Sequence, residues 1–222
     1  MCRFLLIKAQ QPIQPAALLH AFAEMARQST AGSEEVWQGD GWGVSWLTAN
    51  QHWQSHKSLQ PIWADHAGFA TLPPSQRWVV HARSASFPQH KGVLDYNQPY
   101  HQGPYTFVFN GLLRGVKLPQ RVAGVIGAQK IWRLLQHDLN TQAPVEALQQ
   151  LRQTLLTHTQ EIKALNIGLA DSNHCYAFCT FTTHPTYYTL QLHRSAELQM
   201  ICSEPLHGYG FEAVAPDEVV MI

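Results

Sequence analysis

Cys175-Tyr176-Ala177-Phe178-Cys179 is an apolar run. Side chains alternate between the two faces of a strand, so this one is apolar on both and must be covered on both. Its surroundings repeat the theme. Strands are expected around Ile167, over Cys175 to Phe181, Tyr187 to Leu192, Leu198 to Cys202 and Val219 to Ile222. Two sheets packed together, with helices outside, would meet the demand for cover.

The N-terminal half supplies the remaining pieces. Phe4-Leu5-Leu6-Ile7 reads as a buried strand, and Pro15 opens a helix with Leu18, Leu19, Phe22 and Met25 on one face. Gly41 to Leu47 and Gln51 to Lys57 form a hairpin pattern around Thr48-Ala49-Asn50. Trp78 to His81 and Tyr105 to Phe109 are two more strands, separated by a polar loop punctuated with Gly and Pro. Two helices follow, one carrying Ile131, Leu134 and Leu135, the other starting at Pro144 and carrying Val145, Leu148, Leu151 and Leu155. With no repeat, low-complexity segment or linker, residues 1–222 read as one domain.

Composition narrows the function. The 222 residues are 45% hydrophobic, only 14% charged and formally neutral, so no basic field invites nucleic acid. No stretch approaches the ~20 apolar residues that span a bilayer, and the apolar run at the start is too short for a signal peptide. Cys2, Cys175, Cys179 and Cys202 form no CxxC pair, which suits a reducing cytoplasm. His52 and His56 sit in a segment that reads at least as well as strand as helix, with no third ligand nearby, so no metal or cofactor is expected.

Four segments carry chemistry. Cys2 follows the initiator methionine, which is usually removed before a small residue; that would leave its thiol beside a free α-amine of pKa ~7.7–8.0, a usable base. Taken alone, Cys2 is also simply one of four cysteines. Gly39-Asp40-Gly41-Trp42-Gly43 lacks the spacing of a phosphate-binding loop and reads as a tight turn with close backbone approach. Arg83, in Val80-His81-Ala82-Arg83-Ser84-Ala85-Ser86, fits either a fork for a substrate carboxylate or a surface ion pair. Asn110-Gly111 fits either a two-donor oxyanion hole at a strand end or a hairpin turn.

In this order the segments resemble the class II glutamine amidotransferase family of N-terminal nucleophile hydrolases. The likeness runs from Cys2 to about residue 135 and continues weakly through Leu165-Asn166-Ile167-Gly168 and Cys202-Ser203-Glu204-Pro205-Leu206. Met1 to Lys8 with Gln11-Pro12-Ile13 is most similar to stand-alone members, such as the amidotransferase-like subunit of glutathione degradation and the hydrolase of ergothioneine biosynthesis. The resemblance implies an α+β fold, a four-layer αββα sandwich of two antiparallel sheets. It implies that Cys2 attacks a γ-amide carbonyl, that Asn110 and the Gly111 N–H hold the oxyanion, and that Arg83 pairs with an α-carboxylate. Ser84 and Ser86 would contact substrate, a small-molecule amide, and a partner enzyme subunit is a further expectation.

The chain also departs from that family. Gly127 stands where many members carry an aspartate for the substrate α-ammonium; Asp95 or Asp40 would have to replace it, or the substrate would lack the free amine. Phe109 and Gln98 stand where histidines are usual. These changes sustain a second reading, a non-catalytic descendant that binds a small molecule or a partner protein. A third reading, a hydrolase built on Cys175 and His174, suffers because adjacent strand residues point to opposite faces.

Overall fold

The computed structural model describes residues 1–29 and 37–222. Its first sheet has seven strands in the order β11-β9-β10-β1-β4-β2-β3: β1 (Arg3–Ile13), β2 (Trp42–Leu47), β3 (Trp53–Ser58), β4 (Ser75–Ala82), β9 (Gln191–Arg194), β10 (Leu198–Cys202) and β11 (Glu212–Ala213). The second has five, in the order β12-β8-β7-β6-β5: β5 (Tyr100–Gln102), β6 (Tyr105–Arg114), β7 (Glu161–Ala170), β8 (Cys175–Phe181) and β12 (Val220–Met221). Every pairing is antiparallel. The helices are α1 (Ala16–Arg27), α2 (His66–Phe69), α3 (Gly127–Leu139), α4 (Pro144–His158) and α5 (Pro185–Tyr188).

The alternation within each central strand sorts the layers. Leu5 and Ile7 of β1 join Leu18, Leu19 and Phe22 of α1 in one core, while Phe4 and Leu6 face the other sheet. On β8, Tyr176 and Phe178 pack with Leu148, Leu151 and Leu155 of α4, while Cys175, Ala177 and Cys179 fill the space between the sheets. The expected α+β fold, an αββα sandwich of two antiparallel sheets, is the one observed. A Cβ on Gly168 would lie 2.8 Å from a Val108 methyl and 3.1 Å from the Leu6 methyls, so a larger residue there would have to displace them. No described helix is long and apolar enough to cross a membrane.

Three local expectations need correction. Tyr187 to Leu192 is not one strand: Pro185 opens the short helix α5, preceded by His184 in the left-handed region, and the strand begins only at Gln191. Tyr187 and Tyr188 are buried by packing around Ala164, which overrides their strand preference. The polar loop expected between Trp78–His81 and Tyr105–Phe109 holds the strand β5, whose three residues are too few to display a period. Finally, β6 does not end at Phe109 but runs on to Arg114, so Asn110-Gly111 lies within a strand and neither ends it nor forms a hairpin turn.

Candidate active site

Cys2 immediately precedes β1, whose neighbours are β4 and β10. Arg3 pairs with Ala82, and this register sets Cys2 beside the residues that leave β4. The backbone N–H of Ser84 points at Cys2 Sγ over 3.4 Å, and the thiol reaches back to the Ser84 carbonyl at 3.5 Å.

Contacts from distant parts of the chain fix this end of β1. The Arg3 guanidinium is fully buried; it donates to Ser29 Oγ at 2.6 Å, Glu204 Oε2 at 3.2 Å and the Tyr187 carbonyl at 3.2 Å, and lies 3.8 Å from the Tyr187 ring centre. Ser203 Oγ accepts from the Phe4 N–H at 2.9 Å. The Met1 carbonyl accepts from Gln38 Nε2 at 3.2 Å and Tyr187 Oη at 3.4 Å. Burial lowers the pKa of the Met1 amine, opposed by the neighbouring Cys2.

Arg83 follows β4 and is almost fully buried. Its Nη2 donates to the His90 carbonyl at 2.6 Å, its Nη1 to Asn97 Oδ1 at 3.5 Å, and Tyr96 lies under it. Among the described residues no carboxylate pairs with it. The glycine turn holds this loop: the Gly41 carbonyl accepts from Arg83 N–H at 2.8 Å, and Asp40 Oδ2 accepts from Ala85 N–H at 2.8 Å. Gly41, at φ +113°, packs so closely on the Asn97 side chain that a Cβ would not fit. The close backbone approach expected of this turn is thus present, and it positions Arg83 and Ser84.

Asn110 faces the space between the sheets, opposite Asn166 of β7. It is buried, and both polar atoms of its amide lack a hydrogen-bond partner among the described residues. An unpaired buried amide costs about 1–3 kcal/mol and calls for an explanation. A Cβ on Gly111 would strike the Ala164 carbonyl and the Phe109 ring, so glycine is required for β6 to pass through here. Gln98 braces this stretch: its Nε2 donates to the Phe109 carbonyl at 3.1 Å, and its Oε1 accepts from the Phe109 N–H at 2.6 Å. Gln98 therefore supports the strand directly at the position where the family resemblance expects histidine.

Cys2, Arg83, Ser84, Ser86, Gly111 and Gly127 all line one cavity of about 270 Å³ between the 83–98 loop, β6 and α3. Asn110 is not in that lining and sits behind Gly111. Neither acid considered for the amine role is in the lining either. Asp40 is engaged with Ala85 and, at 3.0 Å, with Lys91; Asp95 lines a separate open depression with Lys57. His56 packs its ring against Trp42 from β3, and among the described residues no three His, Cys, Asp or Glu side chains gather as a metal site. Cys175 is enclosed between the sheets, where burial pushes its thiol up to about 12, far from a working nucleophile.

Sequence reading missed several supporting groups. Glu204, Ser29 and Tyr187 meet Arg3 from 201, 26 and 184 residues away, and no local pattern links them. His81 was read only as a strand residue. Its ring faces the space between the sheets, neither nitrogen has a partner of good geometry among the described residues, and burial followed by the Arg83 charge lowers its pKa to about 3.

Comparison with solved structures gives the fold its relatives. A glutamine aminotransferase class-II domain protein from Silicibacter pomeroyi aligns with a TM-score of 0.67 over 100% of this chain and 94% of its own, at 16% identity. Glutamine phosphoribosylpyrophosphate amidotransferase from B. subtilis aligns at 0.68 with 14% identity; the match covers 100% of this chain but 47% of that one. A predicted glutamine amidotransferase from Pseudomonas aeruginosa aligns at 0.57 with 15% identity, over 99% and 96% of the two chains. No family sequence profile and no curated protein matches the chain. At these identities the likeness establishes the architecture, that of class II glutamine amidotransferase domains.

Proposed function

We propose that this chain is a cysteine-dependent amidohydrolase of the glutamine amidotransferase type, hydrolysing a γ-glutamyl or similar small amide through a thioester on Cys2. The observation that carries this reading is the meeting, in one cavity, of the Cys2 thiol, a buried arginine without a counter-anion among the described residues, and the Gly111 segment of β6. The fold shared with amidotransferase domains supports it.

Removal of Met1 would free the Cys2 amine, which takes the thiol proton as sulfur attacks the amide carbon. The carbonyl oxygen becomes an oxyanion, which the unpaired Asn110 amide, from behind the cavity lining, and the Gly111 N–H would stabilise. Collapse breaks the C–N bond, the amine's proton leaves with ammonia, and a thioester remains. Water then adds to the thioester carbonyl, giving the acid and restoring the thiol. Arg83 holds the substrate carboxylate meanwhile, in a site already desolvated.

Intact mass of Met1-free protein treated with a γ-glutamyl diazoketone tests the reading. One adduct is expected, absent in Cys2→Ala. A matured protein that neither gains the adduct nor releases ammonia from any γ-amide would support the second reading, a binding protein that keeps the fold. That alternative draws on Gly127, whose α-carbon faces open space, and on a cavity lining that holds no aspartate or glutamate among the described residues.

A further inference from the structure

The cavity beyond Cys2 is walled by hydrocarbon. Leu112, Leu113, Ile131, Leu134 and Leu155 contribute to its lining, from β6, α3 and α4. The apolar character continues to the mouth, where Phe87 and Val116 stay 48% and 41% exposed. Among the described residues, no aspartate or glutamate contributes to the lining, whereas two cations, Arg83 and Lys130, do. Gly127, at the first turn of α3, faces unfilled space: a Cβ built there meets nothing within 4 Å.

Each feature selects a substrate group. The buried Arg83 guanidinium lacks a counter-anion among the described residues and calls for a carboxylate. An ammonium brought into a chamber whose polar lining is two cations and neutral groups such as Ser84, Ser86 and Tyr96 would lose hydration without gaining a counter-charge among the described residues, a costly exchange. An apolar group in the same place gains from burial. At roughly 30 Å³ per water, 270 Å³ is about nine water volumes, room for a small acyl compound whose tail reaches the mouth.

We infer that the substrate of this cavity, on the proposed reading of Cys2 as an amide-cleaving nucleophile, carries a carboxylate and an apolar substituent in place of a free α-ammonium. An N-acylated glutamine is the simplest compound of that description. The bond changes are those already given: sulfur replaces nitrogen on the γ-carbonyl, ammonia leaves, and water returns the acid. What differs is recognition. Arg83 takes the carboxylate, and the leucine-lined chamber takes the acyl chain.

The test uses glutamine, N-acetylglutamine and N-hexanoylglutamine in two assays. One is ammonia release by Met1-free protein; the other is calorimetric binding to Cys2→Ala, which reads recognition without chemistry. Both should rank hexanoyl over acetyl over glutamine, with at least about tenfold between the extremes, as burial of several methylenes implies. Gly127→Asp places a carboxylate in the open space at a helix N-terminus, where an acid is well tolerated, and should pull the ranking toward glutamine. Preference for glutamine in both assays overturns the inference and leaves amide hydrolysis standing. Tight binding of the acyl compounds without ammonia release upholds the ligand class and sinks the hydrolysis. If none binds and none is turned over, both fall.

Discussion

Two arginines enter the protein interior at this end of the sandwich, and they are held in opposite ways. Arg3, at the start of β1, meets a carboxylate, a hydroxyl, a carbonyl and an aromatic face. Arg83, just past the end of β4, is nearly as buried but meets a carbonyl, an amide oxygen and a tyrosine ring, with no carboxylate among the described residues. The first charge is neutralised inside the fold. The second is buried facing a cavity, so its electrostatic need is left for a ligand to meet. On the proposed function, a structural cation and a recognition cation are thus told apart by their partners and not by burial.

The largest expected effect of breaking that contrast is on stability. Arg3→Leu strands Glu204 without its guanidinium, and removing one member of a buried pair typically costs ~3–5 kcal/mol. Urea unfolding should register a loss of that size. Retention of wild-type stability would mean the Arg3 cluster is no more structural than Arg83.

Arg83→Leu should behave differently. With no carboxylate abandoned, its stability should stay within about 1 kcal/mol of wild type. Its effect should fall on substrate: a lost charge-assisted hydrogen bond is worth ~1.5–3 kcal/mol, about 10- to 150-fold in kcat/KM. The deficit should be confined to amides that bear a carboxylate, with simple carboxamides turned over alike by both proteins. A variant as unstable as Arg3→Leu, or one equally impaired on both kinds of amide, would erase the distinction.

Sequence carried part of this. The layers were legible because β1 and β8 are apolar on both faces and α1 and α4 repeat at helical spacing, patterns that burial alone enforces. Arg83 stood out because small residues surround it at a strand end. Arg3 did not, since its partners lie up to 201 residues away and nothing local marks them. Asn110-Gly111 was noticed for its chemistry and misplaced in its geometry. The dipeptide carries a turn signal, and only the press of Ala164 and Phe109 against Gly111 explains its use within a strand. Tyr187 is expected at the start of a strand running to Leu192, whereas Pro185 and packing around Ala164 turn it into a helical turn under Arg3. Patterns within one element can be read from the chain; contacts joining its two ends cannot.

The smallest effect concerns His81, which feels the unneutralised charge. Its ring is buried and neutral, held to a pKa of about 3 first by burial and then by Arg83. The unfolded chain would take the proton near the ordinary 6.5, so between 6.5 and about 3 the unfolded state binds more protons than the folded one. Stability should therefore fall as pH drops through that window, by at most about 1.4 kcal/mol per unit from this group, and be nearly unaffected by it above pH 7. Urea midpoints from pH 7 down to about pH 3.5, each taken as a difference from His81→Leu so that carboxylate titration cancels, isolate the effect, and Arg83→Leu departs from wild type toward the acid end. His81→Leu should give a flatter profile than wild type. Arg83→Leu should fall between them, because the ring loses one repelling cation and accepts its proton at higher pH. If Arg83→Leu instead tracks wild type, the charge of Arg83 is already neutralised in solution, and the contrast with Arg3 loses its electrostatic basis.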